Sequence, residues 1–175
     1  MIVAATEFGC AGRVGGRWAL GWVIGALLVL AACAGGADGD STPHPLVAEI
    51  GPALDRLEPD TELFQVSGTP EGVELVVSND GQAIGYTYAA GELSAGEPLG
   101  AATGLTFLPA DVTFDPAHVL DGVTGELDDP VITRFEVVAG PAGVVYSALV
   151  LSDAGGVLQV DLAADGTVQS AAPLG

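Results

Sequence analysis

Pro59, Phe64-Gln65-Val66 and Pro70-Glu71-Gly72-Val73 are matched further along the chain by Pro130, Phe135-Glu136-Val137 and Pro141-Ala142-Gly143-Val144. One offset of 71 (135 − 64, 141 − 70) relates the two stretches. Shared identities at a constant spacing point to an internal duplication. Each Phe-x-Val segment alternates as a strand does, and each Pro-x-Gly is a turn into a second strand. In the first copy that strand is residues 73–78. Asn79-Asp80-Gly81 follows as a hairpin turn, and then Ile84-Gly85-Tyr86-Thr87-Tyr88 as a third strand. In the second copy the strands are 144–151 and 157–162 with a turn at 153–156, and a short last strand lies around 167–170.

Upstream of each copy, apolar residues recur at helical spacing. Leu46, Val47, Ile50, Leu54 and Leu57 form the first set, and Val119, Leu120, Val123 and Leu127 the second. Asp115-Pro116 supplies a cap with proline at the first helical position. Gly51-Pro52, Gly122 and Gly125 make both helices short. The expected fold class is α+β. It comprises two repeated units, each a short helix followed by a three- to four-stranded antiparallel meander, with the helices on one sheet face. The expected boundaries are 45–93 for the first unit, 94–114 for a connector and 115–175 for the second. The connector has few strand signals beyond Leu105-Thr106-Phe107-Leu108, and Phe107 and Phe114 are expected to tuck in. One continuous sheet and two smaller ones are both compatible with the pattern.

With that element order and an Asp-Gly turn in each unit, the chain resembles the repeat of PepSY-type and β-lactamase-inhibitor-like domains. The resemblance covers about residues 45–91 and 115–170. It implies a helix on a small meander and an exported module linked with binding or inhibition, and it carries over no functional residue.

The first 32 residues differ in kind. Arg13 and Arg17 precede an almost wholly apolar run, Trp18 to Leu30. A basic region, an apolar region and a small-residue cleavage site define a secretory signal. The run is shorter than the roughly 20 residues a spanning helix needs. Its end, Leu30-Ala31-Ala32-Cys33, resembles the bacterial lipobox. That resemblance implies a diacylglycerol on the Cys33 sulfur, cleavage between Ala32 and Cys33, and further acylation of palmitate type. The product is a lipoprotein held on the extracytoplasmic face of the cell membrane. Two acyl chains suffice for stable anchoring where one is marginal. Residues 33–44 then form a flexible tether carrying the lipidated Cys33. The long stretch before Arg13, with Cys10 and Glu7, points to a true start downstream, at Val3 or Val14.

The mature chain from Cys33 has 143 residues (175 − 32), enough for one domain with a core. It keeps a single cysteine, so no disulfide forms within it. Arg56 and Arg134 are its only cationic side chains, and Glu7 is the one acidic residue lost with the signal, so its formal charge is 2 − 22 = −20. Such a surface repels phosphate backbones, which excludes nucleic-acid binding. Abundant Ala, Gly, Val and Asp without lysine is the composition of a GC-rich genome of actinobacterial kind. An acidic face for a basic partner is the sharper reading of the same charge.

No catalytic constellation is legible. His44 lies between prolines and His118 in the first turn of the second helix, without a nucleophile or orienting partner nearby in the sequence. Carboxylates that pair in the sequence, Asp128-Asp129, Asp111 with Asp115 and Asp161 with Asp165, sit at helix ends, caps and turns. No enzyme activity, cofactor or metal is expected. Tyr86 and Tyr88 share one face of a strand and, with Tyr146, form a contact surface if they point outward, or core if inward. The expected function is a membrane-anchored, non-enzymatic binding module for an envelope protein or small ligand. The alternative is a carrier holding a lipid or small apolar ligand in a helix–sheet cavity.

Overall fold

From Leu63 onward the chain alternates apolar and polar residues and is rich in valine, a composition that suits a pleated, half-buried surface. The computed structural model describes residues 44–151 and 155–174. Strands β1 (Leu63–Thr69), β2 (Gly72–Asn79) and β3 (Gln82–Ala89) follow two helical stretches, α1 (Pro45–Ala48) and α2 (Ile50–Leu54). Short strands β4 (Glu92–Leu93) and β5 (Glu97–Ala101) come next, then α3 (Asp121–Glu126). Strands β6 (Val131–Gly140), β7 (Gly143–Leu151), β8 (Val157–Leu162) and β9 (Val168–Pro173) complete the chain. All belong to one antiparallel sheet in the order β4-β3-β2-β1-β6-β7-β8-β9, with β5 also paired to β3.

This overturns the expected fold of two helix-plus-meander units and the PepSY-like arrangement it implied. The leading strands of the two copies, β1 and β6, pair with each other: Val66 faces Val137, Ser67 faces Glu136 and Gly68 faces Phe135. A separate meander would leave the N–H and C=O groups of its first strand unpaired, and joining the two edges satisfies both. Helical cover is also smaller than expected, at four, five and six residues. Gly51-Pro52 and the glycines at 122 and 125 weaken propagation. Val119 and Leu120, expected on the second helix, are buried from the turn before α3 instead.

The stretch expected to connect the copies contributes β5. Ala90 (φ 53°) and Gly91 (φ 83°) turn the chain back so that Leu93 meets Tyr88, and Gly100 and Pro98 then pair with Ala83 and Ile84. Leu105 to Leu108 makes only a bridge, between Phe107 and Leu63. The turn after β2 is formed by Asp80 and Gly81, both left-handed, as a two-residue hairpin of right-handed twist requires.

The helical segments all lie on one face of the sheet. A Cβ on Gly68 would run into the Leu46 carbonyl oxygen, so α1 rests directly on the C-terminal end of β1. Gly166, in the turn before β9, likewise sits against the His118 carbonyl. Between these elements and the sheet, Val47, Ile50, Val66, Phe135 and Val137 are all 0% exposed. Phe114 packs against Phe135 and Tyr146 at centroid distances of 5.3 and 5.7 Å. Burial of Phe135 alone contributes about 1.5–3 kcal/mol.

Candidate interaction surface

Because side chains alternate along a strand, the residues between the buried ones point to the opposite face. No described helix packs there; Leu99 of β5 lies over Gly85 at one corner. The register aligns one residue from each of seven strands across it: Thr87, Glu74, Ser67, Glu136, Ser147, Asp161 and Ser170. Hydroxyl and carboxylate alternate without exception along this row. At about 4.8 Å per strand it extends roughly 29 Å, with the acids about 10 Å apart. Like charges directly opposite would repel, and the intervening serines keep them apart.

Side chains from the neighbouring rows, and Ser170 within the row, tie the acids down. Arg134 stands 3.4 Å from Glu74 and 3.5 Å from Glu136. Gln65 Nε2 donates to Ser67 Oγ at 2.8 Å and to Glu136 Oε1 at 3.2 Å. Gln159 and Ser170 donate to the Asp161 carboxylate at 3.1 and 2.6 Å. Ser67 is fully buried by this cover, though it faces away from the core. Flanking the row are apolar side chains, among them the exposed Val145 and Leu151. A hydrogen-bonded polar strip with apolar margins offers regularly spaced carboxylates, and exposed apolar margins beside them are how interfaces combine the two.

None of the row was singled out as a site in the sequence. Asp161 and Asp165, a pair in the sequence, do different work: Asp161 belongs to the row, while Asp165 accepts from the Thr167 N–H at 3.0 Å in the turn, which lowers its pKa. The alternating pattern becomes visible only through the register. The tyrosines are placed elsewhere. Tyr88 and Tyr146 are buried on the covered face, at 4% and 5% exposure, and do not form a shared contact surface with Tyr86. Tyr146 serves the fold, its hydroxyl bonded to both the N–H and the carbonyl of Thr113 at 3.0 Å. Tyr86 is half-buried, opposite Leu75 on the same covered side. Cys33 and the cleavage site at Ala32 lie outside the described residues.

The remaining candidates hold local structure. Asp111 accepts from the Leu108 N–H at 2.8 Å. Asp115 accepts from the Ala117 N–H at 2.9 Å and contacts His118 Nδ1 at 2.7 Å. That hydrogen bond lowers the Asp115 pKa and raises that of His118, both side chains being exposed. His44 Nδ1 accepts from the Leu46 N–H at the start of α1. Among the described residues, no three His, Cys, Asp or Glu side chains are grouped to hold a metal ion. No helix among them is long and apolar enough to cross a membrane.

A hollow of about 630 Å³ opens at one end of the covered face, where the segment after α2 passes the β2–β3 hairpin. Leu57, Val77, Tyr86 and Leu93 are its apolar lining. It opens away from the buried centre around Val47, Ile50, Val66 and Phe135.

No family model matches the chain, and no curated protein matches it. Among solved structures, the chain is similar to a crystal structure from Clostridium difficile 630 that is described provisionally as a lipoprotein. The two are 9% identical with a TM-score of 0.48, over 77% of this chain and 94% of that one, a likeness too distant to carry function between them.

Proposed function

We propose that the protein is an exported lipoprotein, anchored to the extracytoplasmic face of the cell membrane through Cys33, and that it acts as a non-enzymatic binding module. The anchor reading rests on Leu30-Ala31-Ala32-Cys33 placed at the end of an apolar run behind Arg13 and Arg17. The binding reading rests on one observation: the uncovered sheet face carries an unbroken carboxylate–hydroxyl row from Thr87 to Ser170. A partner strip of basic groups would meet the carboxylates of Glu74, Glu136 and Asp161, set two strands apart along it.

The test has two arms on the full chain in its native membrane. Metabolic labelling with a palmitate analogue should mark the wild type and not Cys33→Ser; equal labelling would remove the anchor. A photo-crosslinker at Thr87 or Val145, on the open face, should yield a discrete adduct that one at Glu126, beside the covered face, does not. Adducts of equal yield from both positions, or none from the open face, would remove the binding surface.

A further inference from the structure

The open cleft beside Tyr86 combines two features that a single kind of ligand satisfies. Its floor is apolar: Val77 is buried, and Tyr86 and Leu93 are half-buried and pack on the core. Its rim is acidic, with Glu58, Asp60, Glu62 and Asp80, all exposed, against one guanidinium, that of Arg56. The Arg56 guanidinium donates to the Gly91 carbonyl at 2.9 Å. The Tyr86 ring is held in place, since a Cβ at residue 96 would stand 2.9 Å from its Cε1 and Cζ atoms, and glycine there lets the chain close against the ring edge. An anion is disfavoured by four carboxylates, and a purely apolar ligand leaves the charge unmet. A bare cation has no use for the floor. What fits is an aliphatic stem ending in a cation, lying on the ring with its charge among the rim acids.

We infer that this cleft binds the arginine side chain of a partner polypeptide. The site is separate from the polar row, so it stands or falls independently of the binding reading above. Four rim carboxylates against one guanidinium give the charge complementarity, and Tyr86 in the lining is the aromatic partner for a planar guanidinium. A lysine would share the stem but not the planar stacking.

Butylguanidinium is the probe, with butylurea as its neutral isostere, titrated into the full mature chain in detergent micelles and followed by NMR of the Tyr86 ring. The guanidinium should shift the Tyr86 ring signals, and the urea should bind about tenfold more weakly or worse, a difference of about 1.4 kcal/mol. Asp60→Asn with Glu62→Gln should lower affinity about tenfold. Asp128→Asn with Asp129→Asn removes the same charge at the far end of β6 and should change it less than about twofold. Equal binding of butylurea would reduce the cleft to an apolar hollow. Equal losses in the two double variants would assign the attraction to net charge alone. An absence of Tyr86 shifts would end the proposal.

Discussion

The two faces of the sheet are built from the same strands and do opposite things. On the covered face, Val66, Leu75, Phe135, Val137 and Ala148 are each 0% exposed beneath the helical segments. On the other, Glu74, Glu136 and Asp161 hold a line of carboxylates apart with serines and tie them to Arg134, Gln65, Gln159 and Ser170. Burial supplies stability on the first face. On the second, each polar contact is worth little net, because water competes for both partners. A sheet needs only one apolar face to be stable, so the second is free to carry recognition.

The contrast predicts a graded series of effects. Phe135→Ala should cost about 3–5 kcal/mol, read from urea unfolding of the mature chain, because it removes a fully buried ring that touches Phe114 and Tyr146. A loss below about 1 kcal/mol would break the assignment of stability to the covered face. Gly68→Ala should cost about 1–3 kcal/mol, since the new methyl meets the Leu46 backbone, which cannot turn aside as a side chain would. Ser67→Ala should cost about 1 kcal/mol, because Gln65 keeps its bond to Glu136 when the hydroxyl goes. Arg134→Ala should change stability by less than about 1 kcal/mol while strengthening any open-face crosslink to a basic partner, because Glu74 and Glu136 lose the cation that neutralises them, which separates a binding role from a structural one.

The smallest effect belongs to the Asp115–His118 pair. In Asp115→Asn the His118 pKa, followed by NMR, should fall back toward the ordinary imidazole value. The sign of the linkage is set by the direction of each shift. His118, raised, stabilises below its unfolded value and loses that contribution as pH rises through its folded one. Asp115, lowered, stabilises above its unfolded value and loses it as pH falls. The pair therefore holds between the two folded values, and an unchanged His118 pKa in the variant would show that the contact does not form.

Legibility differed sharply by distance along the chain. The Asp80-Gly81 hairpin and the alternation of β2 and β3 could be read locally, because left-handed turn geometry and pleat periodicity are properties of adjacent residues. The segment Glu97-Pro98-Leu99-Gly100-Ala101 could not, since proline and glycine argue against a strand and only the free edge of β3 recruits it. Helical spacing at Val119, Leu120 and Val123 correctly marked buried positions, yet only Val123 lies on a helix, because a turn can deliver Val119 and Leu120 to the same core. Tyr86, Tyr88 and Tyr146 were recognisable as important residues, while their orientation followed from the register alone.

By itself, then, the sequence determined a basic and apolar stretch running up to Cys33, an acidic chain whose only Lys or Arg after that point are Arg56 and Arg134, and two Phe-x-Val segments at an offset of 71. Each of these is written in neighbouring residues or in composition. Tertiary structure alone decided that the strands meet as Val66 opposite Val137, and that Glu74, Glu136 and Asp161 fall on one line. Pairing between strands about 70 residues apart depends on which unpaired edge satisfies which, and a one-residue slip between β1 and β6 would have put Glu136 and Asp161 on the face opposite Glu74.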